Sequence, residues 1–300
     1  MLVELYRRSR DRPVGDWFER EVNFGPDVLH DMRSISKSVL ALLVGQAVAR
    51  SEIDINTPVL EFYPALADLR RDGREQITLV HLLNMASGLA WSETASTYGS
   101  NANDETRLWW DASPSRYILE RPLVAAPGAI WNYNGGHTVL LGEVLAQRSG
   151  RNLVDLARTE LFNPLGITSW EWRSGQHGKP LAYAGLRLAP RDLLRLGQLM
   201  LANGSWQGRQ VVPSAWVAAT LQPSISIGSG PLRYGHHWWA GQVQREGRGL
   251  AWIAGFGNGG QRLYVVPELE MAMVLTAGAY NSVQIGLTEA ALFRQIVAVV

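Results

Sequence analysis

Ser34 and Lys37 stand three places apart in Ser34-Ile35-Ser36-Lys37. On a helix they would share one face, because positions i and i+3 are surface neighbours. A hydroxyl beside an amine suits acyl transfer: a buried lysine with lowered proton affinity can take the serine proton. Amides at a helix N-terminus favour the negative charge that develops on an attacked carbonyl. The same spacing also describes an ordinary N-cap serine followed by a surface lysine. Two features favour the chemical reading. Ser38–Val48 (SVLALLVGQAV) is apolar, so Lys37 starts a buried helix rather than a solvated one. Of 28 basic residues only Lys37 and Lys179 are lysines, and the rest are arginines, which keep their proton in proteins. Lys179, in the loop-like GQHGKP, is read as incidental.

A second candidate is Tyr133, in Pro127-Gly128-Ala129-Ile130-Trp131-Asn132-Tyr133-Asn134-Gly135-Gly136. A tyrosine followed by small residues before a helix can meet a substrate and relay a proton. In a chain with nine Tyr and 12 Trp, simple packing accounts for it equally well on its own. A third is Gly255-Phe256-Gly257-Asn258-Gly259-Gly260-Gln261, which contains G-x-G-x-x-G. The dinucleotide reading fails, because Leu263–Val266 continues as a strand where that fingerprint needs a helix. A glycine-rich strand edge can instead expose the backbone N–H groups of an oxyanion hole, or be a plain hairpin loop. The histidines show no metal spacing: His30, His81, His137 and His177 are isolated, and His236-His237 would point to opposite faces of a strand. No H-E-x-x-H or G-x-S-x-G occurs.

The elements that must position these groups are partly legible. Ser34–Arg50 reads as a helix, and Leu2–Arg8 as a strand. Thr78 can cap a helix through Ala86, Ser113-Pro114 starts another, and Gly136–Ser149 and Pro190–Ala202 follow at helical spacing. Tyr234–Ala240, Gly249–Ala254, Gln261–Val266 and Met271–Thr276 read as strands, and Thr288–Val300 as a closing helix. The predicted class is α+β: an antiparallel sheet flanked by helices (1–50 and 175–300) with an inserted, mainly helical lobe (51–174). The crevice between the lobes is the expected binding site.

Composition bounds the function. A 300-residue chain that is 46% hydrophobic and 18% charged buries a sizeable core. The formal charge of +1 excludes a basic field for nucleic acid. The absence of cysteine removes disulfides and thiolate chemistry. The apolar run at Ser38–Val48 is too short for a bilayer, which needs about 20 residues. No signal peptide is visible, so the expected location is cytoplasmic, or periplasmic if the natural N-terminus is longer. Oligomeric state is left open.

Five ordered segments carry a resemblance: MRSISKSV around Ser34, ITLVHLLNMASGL at 77–89, PGAIWNYNGGHTVLLGEVL at 127–145, GLRLAPRDLLRLGQLML at 185–201 and GNGGQRLYVVPELEMAMVLTAG at 257–278. Together they resemble the serine β-lactamase and penicillin-binding-protein superfamily, in the branch of class C β-lactamases, family VIII carboxylesterases and nylon-oligomer hydrolases. The likeness spans nearly the whole chain. It implies Ser34 as acylated nucleophile, Lys37 as its base and Tyr133 as proton relay. It also implies an oxyanion hole from the Ser34 N–H and the strand near Phe256, Gly257 and Asn258, without metal or cofactor. Two departures follow. The third residue of the Tyr-x-Asn element is Gly135, with Asn134 adjacent as a partial substitute. The expected Lys/His-Thr-Gly strand reads Trp252-Ile253-Ala254-Gly255, without a cation; Arg248 and Arg262 are the candidate replacements. This favours a neutral small-molecule ester or amide over a β-lactam. A β-lactamase or D-amino-acid peptidase, and a penicillin-binding-like module that binds without turnover, are the alternatives. Trp109, Trp110, Trp238 and Trp239 are candidate walls of an apolar acyl pocket, although core packing accounts for most such residues.

Overall fold

The structure is a computed structural model that describes residues 2–7, 25–93 and 102–300. Its strands in chain order are β1 (Leu2–Arg7), β2 (His30–Asp31), β3 (Trp170–Trp172), β4 (Leu186–Leu188), β5 (Ser205–Trp206), β6 (Arg209–Gln210), β7 (Ile225–Ser226), β8 (Arg233–Gly235), β9 (Trp238–Arg245), β10 (Arg248–Gly257), β11 (Gln261–Val266) and β12 (Met271–Thr276). The main sheet is antiparallel throughout, in the order β1-β12-β11-β10-β9-β8-β7. Leu2 pairs with Thr276 and Arg7 with Met271, so the first strand closes the edge beside the last. A smaller sheet, β2-β4-β3, carries the chain into the helix that bears Ser34.

The helices are α1 (Ile35–Ala49), α2 (Leu79–Leu83), α3 (Asp104–Leu108), α4 (Pro114–Glu120), α5 (Gly135–Ser149), α6 (Leu153–Leu156), α7 (Pro190–Leu201), α8 (Ser214–Thr220) and α9 (Val283–Val299). The described residues between 51 and 169 hold helices and turns. Along β12 the pleat alternates. Ala272 and Val274 join the core shared with α1 and α7, whereas Met271, Met273 and Leu275 pack with Phe293 and Val297 of α9. Helices therefore cover both faces, and all six residues of β12 are buried. Helix α1 is buried continuously from Ile35 to Ala47, which is why it reads as apolar all round rather than striped. It packs against α5 on one side and against β10 on the other.

Helix α2 ends at Leu83 rather than Ala86 and β9 runs to Arg245 rather than Ala240, and three further differences from the sequence expectation have a visible cause. Strand β10 runs on to Gly257, three residues past Ala254. There is room for that because Gly257 has no side chain: a Cβ would lie 2.3 Å from the Met32 carbonyl oxygen. Helix α9 starts at Val283, because the Ser282 side chain accepts the Ile285 N–H and caps it. His236 and His237 are not strand residues. They form the β8–β9 turn with φ of 48° and 62°. His237 is buried, with Nε2 3.2 Å from Thr138 Oγ1. No described helix is long and apolar enough to cross a membrane.

Candidate active site

The turn before α1 is strapped on two sides. Met32 N–H donates to Leu186 O at 2.9 Å; Ser36 Oγ donates to Arg33 O at 2.6 Å and accepts the Leu186 N–H at 3.1 Å. Ser38 Oγ donates to His237 O at 2.7 Å. Arg33 is held at φ 51°, a left-handed conformation that costs a non-glycine residue about 1 kcal/mol or more. Ser34 stands at the N-cap position but makes no side-chain cap hydrogen bond. Its hydroxyl accepts from Lys37 Nζ at 3.0 Å instead. The ordinary-cap alternative for this serine is thereby displaced.

Lys37 is fully buried. Burying an ammonium costs several kcal/mol unless partners surround it. Nζ also donates to the Tyr183 carbonyl at 3.2 Å and to Glu105 Oε2 at 3.5 Å, and it lies 3.7 Å from Glu93 Oε1. It sits 4.8 Å from the centre of the Tyr133 ring and 5.7 Å from that of Tyr183, within cation–π range.

Tyr133 reaches this cluster because its strand-like approach is pinned. Asn132 N–H donates to Met85 O at 2.8 Å, and the Asn132 amide to Leu89 O and Trp91 O, both at 3.3 Å. The Ser34 side chain lies near enough to the Tyr133 phenol to act on it. Burial, reinforced by the negative charge of Glu93, raises the phenol well above its usual range. It is a neutral proton donor at ordinary pH, not a phenolate. The rings of Trp131, Tyr133, Tyr234 and Trp239 pack with centroids 5.3–6.2 Å apart, and Trp239 stacks on Phe256 at 5.4 Å.

The other residues singled out from the sequence divide. Phe256 and Gly257 end β10 next to the α1 entry, since a Cβ on Gly257 would also be 3.3 Å from Arg33 Cβ. Asn258 fastens the β10–β11 turn: its amide donates to Asn281 Oδ1 at 2.7 Å and its Oδ1 accepts the Asn281 N–H at 2.9 Å. The Asn134 oxygen is committed to capping α5 through the His137 N–H. Trp238 is core, at 1% exposure, and Trp239 belongs to the aromatic wall. Trp109 and Trp110 line a cleft of about 350 Å³ with Asp31, Arg33, Glu105 and Tyr183. This cleft adjoins the Ser34–Lys37 pair through Glu105.

Neither candidate cation replaces the missing one. Arg248 starts β10, nine residues from Gly257 and thus roughly 30 Å away at 3.3 Å per residue. Arg262 is tied to Glu289 at 2.7 Å and to the carbonyls of Gly257 and Gln261 at 2.9 and 2.8 Å. Sequence reasoning missed Glu93, Glu105 and Tyr183. Nothing local marks them, and only long-range packing brings them to Lys37.

A serine–lysine pair at the start of a buried helix, beside a tyrosine and the end of a central antiparallel strand, defines the penicillin-recognising serine fold class. The chain belongs to the beta-lactamase family, whose sequence profile matches residues 10–292. It is 25% identical over 268 residues to a 6-aminohexanoate-dimer hydrolase of Paenarthrobacter ureafaciens, covering 84% of this chain and 66% of that protein. It is 30% identical over 173 residues to esterase EstB of Burkholderia gladioli, covering 54% of this chain and 42% of that one. The chain thus spans less than two thirds of the length of these relatives. Among solved structures, a penicillin binding protein from Bacillus halodurans superposes with a TM-score of 0.71 at 16% identity, over 97% of this chain and 95% of that one.

Proposed function

We propose that this chain is a serine hydrolase that cleaves a small carboxylic ester or amide through an acyl-enzyme on Ser34. One observation carries the reading: the buried Lys37 Nζ lies 3.0 Å from a Ser34 hydroxyl that is not used as a helix cap. Lys37 takes the proton of Ser34 Oγ as that oxygen bonds the acyl carbon. The neutral Tyr133 phenol passes a proton to the leaving group and is reprotonated through Ser34 and Lys37. In the second half a water takes the place of the leaving group, and the acyl–oxygen bond to Ser34 breaks. The Ser34 N–H at the helix start and an amide at the Phe256–Asn258 end of β10 form the oxyanion hole. The names of the relatives, an amide-dimer hydrolase and an esterase, support the bond class. The cation-free stretch Trp252–Gly255 supports a neutral substrate over one with a carboxylate.

The test is hydrolysis of p-nitrophenyl butyrate by the parent and by Ser34→Ala. Turnover by the parent, with a loss of roughly 10⁴-fold in the variant, is the expected result. Equal rates would remove Ser34 from the mechanism. Preferential hydrolysis of a chromogenic cephalosporin would assign the β-lactamase or peptidase reading instead. An adduct on Ser34 that forms and never clears, seen by intact mass, would mark a binding module.

A further inference from the structure

Two carboxyl groups beside Lys37 have no part in that mechanism. Glu93 Oε2 accepts the Gly135 N–H at 2.6 Å and the Trp91 indole N–H at 2.9 Å. Its Oε1 has no N–H or hydroxyl partner and faces Lys37 Nζ at 3.7 Å. Glu105 Oε2 lies 3.5 Å from the same Nζ. The two carboxyl groups are within hydrogen-bond reach of each other. A single ammonium cannot compensate two buried carboxylates. Burial first, and then the negative charge of Glu93, push Glu105 well above the usual carboxylate range. Both effects favour a protonated Glu105, which leaves the pair with one negative charge against one positive.

The pair fits because of one residue. A Cβ on Gly135 would stand 2.8 Å from Glu105 Oε2 and 3.2 Å from Glu93 Oε2. A side chain at 135 would force the Glu105 carboxyl to shift and crowd that of Glu93. The scaffold around them is built. Asn103 Nδ2 donates to Glu93 O at 2.9 Å while its Oδ1 caps α3. Asp104 accepts the Ser92 N–H at 2.6 Å and the Tyr117 hydroxyl. Glu93 and the helix bearing Glu105 are thereby locked to each other.

We propose that Glu93 and Glu105 act together as positioning residues, the counter-charge that holds Lys37 against Ser34 and sets how readily it takes the serine proton, and that Gly135 is what admits them. The inference rests on the acyl-enzyme reading above. The other groups facing Lys37 do not change charge near neutral pH. The phenols of Tyr133, Tyr183 and Tyr234 are raised by burial, and His237 is held neutral by burial and by the Lys37 charge itself. Arg33 and Arg262 are the arginines that act on these tyrosines.

The test uses a fluorophosphonate, which labels an activated serine whatever the natural substrate. Intact mass follows the rate of Ser34 modification against pH. In the parent the rate rises with pH as the lysine becomes a free base. Removing the negative charge lowers the proton affinity of Nζ. The rising limb of Glu93→Gln therefore moves to lower pH by about one unit or more, a tenfold change in proton binding. Glu105→Gln, uncharged like the protonated acid, keeps the parental limb. Gly135→Ala labels at least about tenfold more slowly, and adding Glu105→Ala restores most of the rate. The Gly135/Glu105 pair of variants decides the matter if Glu93→Gln fails to fold. Coincident limbs for the parent and Glu93→Gln, or parental labelling of Gly135→Ala, would overturn the inference alone. No Ser34 adduct on the parent would overturn the acyl-enzyme reading and this inference with it.

Discussion

Among the described residues, two buried clusters of opposite charges, at Lys37 and at Arg262, are built differently. Arg262 Nη2 and Glu289 Oε2 meet at 2.7 Å, with the arginine also donating to two carbonyls. They tie α9 to the turn after β10. Lys37 has no such single partner. Its Nζ is shared among a hydroxyl, a carbonyl and two carboxyls at 3.0–3.7 Å. In the first cluster the contacts are short, at 2.7–2.9 Å. In the second, the charged contacts are long and the short one goes to a serine. A cation held tightly by one carboxylate is fixed, and arginine cannot give up its proton in any case. A lysine held loosely by several groups can exchange a proton with the nearest of them at small cost. The two clusters differ in what they hold still: one holds a piece of backbone, the other a proton.

Substituting the cation in the loose cluster gives the largest effect. Lys37→Ala should lower ester hydrolysis and fluorophosphonate labelling by roughly 10⁴-fold. The protein should still fold, because the carboxyl pair left behind can protonate. Circular dichroism and a thermal melt check the fold, and an esterase assay the rate. A fold loss as large as the activity loss would mean that the lysine is as structural as Arg262. The mirror experiment is Glu289→Ala. Breaking a buried pair strands the remaining charge, here an Arg262 side chain 14% exposed, and should cost about 3 kcal/mol. A urea titration reads that cost. The pH profile of Ser34 labelling should stay where it is. A shifted profile would show that the Arg262 clamp on Gly257 governs the reaction, and the contrast between the clusters would fail.

How much of this was legible follows from the range of each contact. Ser34 and Lys37 are three residues apart on a helix that the apolar run announces, so local periodicity exposes them. Strands β10 to β12 alternate or run apolar between glycines and emerge near their expected places, whereas the expected strand Tyr234–Ala240 is split between β8 and β9 by the His236-His237 turn. The sequence pattern ends β10 at Ala254, because Gly255 and Gly257 look like loop residues until α1 is packed against them. The glutamates were invisible for a different reason. Glu105 is 68 residues from Lys37 along the chain, and its polar neighbours Asn103 and Asp104 give no local sign of a buried site. Only Gly135, standing where the resemblance expects asparagine, hinted that something else fills that space.

The smallest effect separates the two glutamates by their protons. Glu105 is raised well above its ordinary value by burial and then by Glu93, whereas Glu289 is raised less far, by burial against the opposing charge of Arg262. A carboxyl whose folded affinity exceeds its unfolded one stabilises the fold below the unfolded value of about 4.5. That contribution is lost as pH climbs towards the folded value, because the unfolded chain then binds fewer protons than the native one. Glu105→Gln removes the titration and keeps the shape. Its stability relative to the parent should therefore rise with pH above 4.5, by at most about 1.4 kcal/mol per unit. The rise for Glu289→Gln should begin at the same pH and level off sooner. Urea midpoints of the parent and both variants between pH 4 and 8 measure the two curves. Equal curves would mean that Glu105 carries no more of a trapped proton than Glu289 does, and that the charge beside Lys37 is two full carboxylates rather than a shared one.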